Sequence, residues 1–154
     1  MTRPDTADQP ITPTLVRLCL ASVADGPLGR QFDGVWWPRS GRPLDELSAL
    51  VAVLEASRDR VVQLMLSTSG WRGLPRVLPL QGRAIPVFWL GLYRDLLIAR
   101  LTGQPPLSLM VVPPDTALPV AATAMEIALD PSNHTPAPGV LARAHQRRDS
   151  RPRA

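Results

Sequence analysis

Two adjacent tryptophans, Trp36 and Trp37, most constrain what this chain of 154 residues can fold into. Neighbouring side chains of a β-strand point to opposite faces of the sheet, so one core can hold only one of the two indoles. Each indole carries roughly 150–250 Å² of surface, which is costly to leave in water. Two interpretations stay open: a layer covers each side of the strand, or one indole walls a binding surface on which Arg39 can stack.

Length and composition predict one folded domain. The 154 residues are of single-domain size, and 45% of them are hydrophobic, which is enough for a core. No apolar run approaches the ~20 residues that span a bilayer. The N-terminus also lacks the charged-then-apolar pattern of a signal peptide. We therefore expect a cytoplasmic protein without a membrane partner.

The positive charge lies at the C-terminal end of the chain. All 17 basic residues are arginines, and residues 143–154 hold five of them against one aspartate. Since the first 142 residues contain equal numbers of arginines and acids, the net charge of +4 lies in this segment. Clustered arginines attract phosphate, so one alternative function is nucleic-acid association through this tail, although no aromatic residue there can stack on a base. Its arginines are Arg143, Arg147, Arg148, Arg151 and Arg153.

Hydrophobic patterning predicts a single α+β domain over residues 14–131. Pro43 followed by a leucine stripe indicates a helix over about 44–57, and a second helix is predicted over about 116–129. Short apolar runs between turn residues predict a mostly antiparallel meander of five to seven strands, with both helices on one face. The runs are residues 15–21, 61–66, 76–80, 84–90, 96–101 and 107–112, with the tryptophan stretch 32–40 after the first. A hairpin is predicted where Gln81-Gly82-Arg83 joins run 76–80 to run 84–90.

Some segments of the chain are less regular. Residues 1–13 are predicted to be flexible, and residues 132–154 are predicted to be a disordered, arginine-rich tail. Residues 88–101 fit a helix as well as two strands, and periodicity alone does not decide between them. Pro79 and Pro86 indicate edge strands or bulges within the meander.

The residue types exclude several kinds of catalytic and metal site. Both histidines, His134 and His145, lie in the predicted tail, where no imidazole would be held beside a nucleophile. The single cysteine, Cys19, excludes an internal disulfide and cysteine-based zinc sites, and we expect it to be a small buried or half-buried apolar group on a strand, not a nucleophile. No glycine loop has phosphate-binding spacing. Asp33 and Asp95 lie in turn-like settings, where we expect them to stabilise turns. We therefore predict no catalytic residue, no metal and no cofactor.

Two clusters of tryptophan and arginine form the predicted binding site. If the cluster at residues 33–40 meets the one at 71–76, the two would present a surface suited to an anionic, planar or peptide partner. The competing interpretation is that Trp71 packs over the end of the core and that the arginines pair with acids such as Asp33. The residues assigned to the surface are Asp33, Trp36, Trp37, Arg39, Trp71, Arg76 and Arg83.

Three functional hypotheses follow from these residues. The first is a small non-catalytic binding or regulatory protein with an unidentified protein or small-molecule partner, and its oligomeric state stays open. The second is nucleic-acid association through the basic tail. The third is an enzyme that uses Asp33, Arg39 or Arg83 on a small anion.

A family resemblance rests on the string around the tryptophans. The string is Asp33-Gly34-x-Trp36-Trp37-Pro38-Arg39-Ser40, and it is followed in order by an acid-started helix, Trp71, Pro75-Arg76, Gly82-Arg83 and Val111-Val112-Pro113-Pro114-x-Thr116. Together these residues resemble an actinobacterial family of small proteins of unknown function, over about residues 14–131. The resemblance implies this domain boundary and a bacterial cytosolic protein, and it implies no activity.

Overall fold

The short apolar runs pair into a seven-stranded sheet in the computed structural model, which describes residues 16–21, 31–91 and 93–149. The strands lie in the order β1-β2-β7-β6-β3-β5-β4 across the sheet. The elements are β1 (Leu18–Leu20), β2 (Gly34–Trp36), α1 (Pro43–Ser57), β3 (Val61–Ser67), β4 (Val77–Leu80), β5 (Arg83–Leu90), β6 (Leu96–Leu101), β7 (Leu107–Val111), α2 (Leu118–Leu129) and α3 (Ala137–Asp149).

Four of these strands run in the same direction. β2 is parallel to β7, and β3 is parallel to β5. β6 lies between β7 and β3 and is antiparallel to both, while the edge strands β1 and β4 are antiparallel to their neighbours. The carboxyl ends of β2, β7, β3 and β5 therefore lie at one edge of the sheet. The predicted α+β class with mostly antiparallel pairing is confirmed.

Local sequence chemistry accounts for the predicted helix and hairpin. Pro43 begins α1, and Asp45 and Glu46 lie in its first turn, where carboxylates interact favourably with the positive end of the helix dipole. Gln81 and Gly82 both have positive φ, at 48° and 81°, as the tight turn of a two-residue hairpin requires. These two residues join β4 to β5, and the predicted hairpin is confirmed.

The helices cover both faces of the sheet, so the prediction of two helices on one face is wrong. α1 packs on one face through the apolar stripe that the sequence shows. The second core, on the opposite face, contains buried residues of α2 and α3. A stripe of apolar residues reveals which side of a helix is buried but not which face of the sheet it meets. The stripe of α1 consists of Leu47, Leu50, Val51 and Leu54.

The prediction of a disordered tail from residue 132 is wrong for residues 137–149, which form α3. This helix buries Ala137, Val140 and Ala144, which recur at three- and four-residue spacing and define a narrow stripe. Two of the three are alanines, so the stripe carries little hydrophobicity and is hidden among arginines and other polar residues.

The two adjacent tryptophans lie in different cores. Trp36 is 1% exposed in the core under α1, and Trp37 is 6% exposed in the core formed with α2 and α3. The interpretation with a layer on each side of the strand is therefore confirmed. The alternative, in which one of the pair walls an exposed surface, is wrong.

Residues 88–101 form parts of β5 and β6, so the strand interpretation is confirmed. Pro86 lies where β5 changes partner, because residues up to Pro86 pair with β4 and residues from Val87 pair with β3. Its missing N–H therefore interrupts no ladder with β3. Pro79 lies in the edge strand β4. Cys19 is exposed, so the prediction that it is buried or half-buried is wrong, because the short edge strand β1 turns only its other side toward the core.

No helix in the described part of the chain is both long and apolar enough to cross a membrane.

Gly34 lies where three strands leave no room for a side chain. A Cβ there would be 2.8 Å from the carbonyl oxygen of Cys19 and 2.9 Å from a methyl carbon of Leu109, closer than such atoms approach. We predict that Gly34→Ala lowers the free energy of unfolding by roughly 1–3 kcal/mol through overpacking, as measured by urea denaturation.

Gly91→Ala is the matched control for this substitution. A Cβ at Gly91 would meet no atom within 4 Å, so the free energy of unfolding should change by less than about 0.5 kcal/mol. Equal losses in both variants would contradict a steric role for Gly34.

Candidate functional site

The tryptophan motif joins strands to one another. The carboxylate of Asp33 accepts a hydrogen bond from the N–H of Ser108 at 2.9 Å, and the N–H of Asp33 donates to the Ser108 carbonyl at 2.8 Å. The indole N–H of Trp37 donates to the Pro113 carbonyl at 3.1 Å. These bonds tie the residues directly before and after β2 to the two ends of β7, so both side chains have structural roles.

Arg17, which sequence reasoning missed, secures the motif from the side of β1. Its guanidinium carbon lies 3.6 Å from the ring centroid of Trp37, a cation–π geometry. The same guanidinium donates to the carbonyls of Trp37 at 2.9 Å and Pro38 at 2.8 Å. Burial and the nearby Arg39 lower the pKa of Arg17, while Glu46 acts in the opposite direction. The only sequence signal was one arginine among alternating apolar residues.

Glu46 of α1 holds the loop that follows the motif. Its carboxylate accepts hydrogen bonds from the N–H of Arg39 at 3.0 Å and from the hydroxyl of Ser40 at 2.8 Å. The loops after β2 and β3 then meet closely, because a Cβ on Gly41 would lie 2.8 Å from the Gly70 carbonyl oxygen. The two loops therefore hold a fixed position relative to each other.

The two predicted tryptophan clusters do meet, but inside the molecule. The rings of Trp36 and Trp71 stack with centroids 5.7 Å apart and planes at 25°. Trp71 also meets Trp89 edge-on, with centroids 6.5 Å apart, and the indole N–H of Trp89 donates to the Pro75 carbonyl at 2.8 Å. The competing interpretation, that Trp71 packs over the end of the core, is confirmed: it is half-buried against the core under α1.

The predicted arginines are not gathered around these indoles. Arg83 forms an ion pair with Glu55 at 2.7 Å, as the competing interpretation expects, although with a different acid from the one the sequence indicated. Arg76 is exposed next to β4. The predicted indole-and-guanidinium surface is therefore not assembled as a unit, and of its seven residues only Trp71 lines the cleft described next.

A cleft of about 240 Å³ opens at the carboxyl edge of the sheet, and we call it the carboxyl-edge cleft. Its walls come from the segments after β2, β3 and β7 and from the turn before β6. The lining residues are Pro38, Ser40, Ser69, Gly70, Trp71, Arg94, Asp95, Val111, Pro113 and Pro114.

The cleft lies where the chain, after β2 and after β7, turns toward opposite faces of the sheet. β2 continues into α1, whose core lies on one face, whereas β7 continues into α2, whose core lies on the other. The two strands are nevertheless parallel neighbours. In open sheets flanked by helices, such a divergence leaves a crevice outside the carboxyl ends of the strands, and ligands bind there. The topology therefore marks this cleft independently of any sequence motif.

Asp95 is the most unusual ionisable residue of the cleft. Its φ of 55° is left-handed, a conformation that is uncommon outside glycine although aspartate tolerates it better than most residues. Its carbonyl accepts a hydrogen bond from the N–H of Val111 at 2.8 Å. Its carboxylate accepts none from residues 16–21, 31–91 or 93–149. Burial raises the pKa of Asp95, and the Arg94 guanidinium partly offsets this.

Sequence reasoning assigned Asp95 to a turn and did not mark it as functional. The turn is correct, because Asp95 precedes β6 directly. Its position beside the ends of β2, β3 and β7 depends on strand pairing between distant segments, which no local pattern reveals.

The predicted nucleic-acid residues lie elsewhere. Arg143 and Arg147 line a second cleft of about 360 Å³ together with His134, and two acids, Glu126 and Asp130, line the same cleft. Arg148 is half-buried, and Arg151 and Arg153 lie outside the described residues. Within the described part of the chain, no three His, Cys, Asp or Glu side chains lie together as a metal site would require.

The raised pKa of Asp95 gives a testable dependence of stability on pH. Between the ordinary aspartate pKa of about 3.9 and the raised value, the folded state binds more protons than the unfolded state. Stability therefore falls as pH rises through this window. Asp95→Asn removes this titrating group. At pH values above the window, the variant should therefore have a higher melting temperature than the natural protein. The difference in melting temperature should shrink as the pH falls below about 4.

The exposed Asp115→Asn is the matched control for the loss of one negative charge. Thermal melts at several pH values compare the two variants with the natural protein. A difference for Asp95→Asn that is no larger than that of the control at every pH would contradict the placement of Asp95.

The comparisons with known proteins agree with the resemblance carried by the motif residues. A family profile described as a family of unknown function, DUF5994, matches residues 17–128. Neither the curated proteins nor the solved structures contain a match to this chain. The matched range spans the sheet from the residue before β1 to within one residue of the end of α2. The chain therefore belongs to this family of unknown function, DUF5994.

Proposed function

We propose that this protein is a non-catalytic binding module that holds a small polar ligand in the carboxyl-edge cleft. One observation carries the proposal: Asp95 presents a half-buried carboxylate without a hydrogen-bond donor among the described residues, at the crevice where the chain leaves β2 and β7 in opposite directions. Buried polar groups in proteins are normally hydrogen-bonded to other protein groups or to water. The carboxylate oxygens of Asp95, which accept from no described residue, are therefore available to a donor on a ligand.

The lining of the cleft indicates the chemistry of this ligand. A carboxylate and an indole that line one cleft favour a cationic amine, which can donate a charge-assisted hydrogen bond to Asp95 and form a cation–π contact with Trp71. Arg94 lines the same cleft and can bind an anionic group on the other end of the ligand. The ligand class that fits these three side chains is a small amine or a zwitterion.

The size of the cleft limits the ligand further. Its volume of about 240 Å³ is below the range of about 300–1,000 Å³ for sites that enclose drug-sized molecules. A single amino acid, a small amine or one side chain of a peptide is of suitable size.

The residues around the cleft favour binding over catalysis. No histidine or cysteine is among its described lining residues. The residues of the enzyme hypothesis, Asp33, Arg39 and Arg83, are not among them either. The described lining thus lacks the imidazole or thiol on which most nucleophilic sites are built.

Nucleic-acid association through the basic segment has less support. Glu126 and Asp130 line the same cleft as Arg143 and Arg147, which breaks up the cationic surface that phosphate binding needs. We therefore place it second to ligand binding.

A screen of small amines, amino acids and carboxylates tests the proposed function. Isothermal titration calorimetry on the full chain should find a binder among the amines or zwitterions. Asp95→Asn should weaken it roughly 10- to 100-fold, because a hydrogen bond to a charged group contributes about 1.5–3 kcal/mol.

Asp115→Asn, which removes a charge outside the cleft, should bind as the natural protein does. If binding occurs but Asp95→Asn retains full affinity, or if only carboxylates without an amine bind, the proposed site is wrong.

A further inference from the structure

One half of the sheet has an apolar face that no layer of the described residues fully covers. On the face opposite α1, the core formed with α2 and α3 contains residues of β2 and β7. The remaining strands on that face carry apolar side chains that reach solvent, among them Phe88 at 50%, Val77 at 45% and Val62 at 37% exposure. We call this surface the open sheet face, and its residues are Val62, Met65, Val77, Ala84, Pro86, Phe88 and Ile98.

The residues of the open sheet face are direct neighbours. Ile98 of β6, Met65 of β3 and Phe88 of β5 lie opposite one another in three adjacent strands. Val77 of β4 lies opposite Pro86 of β5, two residues before Phe88. Single exposed apolar side chains are ordinary, whereas a contiguous patch on a sheet marks an interaction surface.

A β-bulge at the start of β3 adds to the apolar surface of this face. The register of β3 against β6 shifts between Val61 and Gln63, so Val61 and Leu64 both enter the core although three positions separate them. Val62 is the extra residue and is left on the outer side. The bulge therefore adds a valine to the open sheet face.

The charges around the open sheet face indicate what covers it. Its polar neighbours are Arg100 and Gln63, which lie opposite each other in β6 and β3. No acid or lysine occurs in β3, β4, β5 or β6. A charged partner would therefore find little to pair with here, whereas another apolar sheet face would be complementary.

We propose that the open sheet face binds the same face of a second copy of this protein. Two twisted sheets pack face to face about 10 Å apart with their strands about 30° apart, and a two-fold axis lets each copy cover the other with identical residues. The edge strand β4 carries Pro79, which lacks the N–H that edge-to-edge pairing needs. The structure thus favours pairing by faces over pairing by edges.

The exposed area of the open sheet face is small for a dimer interface. The seven side chains expose on the order of 500 Å² per copy, near the lower limit of about 600 Å² per partner for stable interfaces. We therefore expect dissociation in the micromolar range, with Phe88 as the central anchor, since buried aromatic residues dominate such interfaces.

Analytical ultracentrifugation of the full chain over about 1–200 µM tests this dimer. The natural protein should shift from monomer to dimer with rising concentration. Phe88→Glu should weaken the dimer at least tenfold, and Val77→Arg should do so as a second variant on the same face. Leu44→Glu is the matched control, because Leu44 is 43% exposed on α1, which covers the opposite face of the sheet.

Circular dichroism confirms in each case that the variant is folded, and cross-linking gives a second readout. In a Cys19→Ser background, Ala84→Cys on the open sheet face should form an intermolecular cross-link with a short thiol reagent, and Leu44→Cys on α1 should not. A natural protein that stays monomeric at the highest concentration, or a Phe88→Glu variant that dimerises as well as the control, would overturn the proposal.

Discussion

The rest of the structure depends on how Trp36 and Trp37 divide between the two sides of β2. Successive residues of a strand point in opposite directions, and here each of the two positions holds an indole that is almost fully buried. Both faces of this part of the sheet must therefore be covered. α1 covers one face, and α2 with α3 covers the other. Because β2 and β7 are neighbours that lead to opposite layers, the same division creates the crevice at their carboxyl ends.

The sequence predicted features that depend on residues close together in the chain better than features that depend on residues far apart in it. The hairpin at Gln81-Gly82 and the helix after Pro43 follow from residues close together in the chain, and they were predicted correctly. The pairing of β2 with β7 joins segments about 75 positions apart, as in the bond between Asp33 and Ser108, and no local pattern specifies it. The faces chosen by the helices and the position of Asp95 both follow from that pairing. α3 escaped prediction for a different reason, since its alanine stripe carries little hydrophobicity.

The conspicuous motif and the candidate site turn out to have different roles. Asp33, Gly34 and Trp37 are each occupied by hydrogen bonds or close packing with neighbouring strands. The carboxylate of Asp95 and the open sheet face around Phe88, in contrast, are a polar group and an apolar surface that the described residues leave incompletely partnered. Proteins break local rules of this kind mainly where function requires it. In this chain the residues of the conspicuous motif stabilise the fold, and the less conspicuous residues around Asp95 and Phe88 are accessible for binding.

The most direct measurement of this division is nuclear magnetic resonance of the four tryptophan indole N–H groups during titration with an amine that binds the protein. The signal of Trp71, which lines the cleft, should shift with ligand concentration. The signal of Trp37, whose N–H is bonded to the Pro113 carbonyl inside the second core, should keep its hydrogen bond and exchange slowly with solvent throughout. A ligand-dependent shift at Trp37 with an unchanged Trp71 would contradict the account.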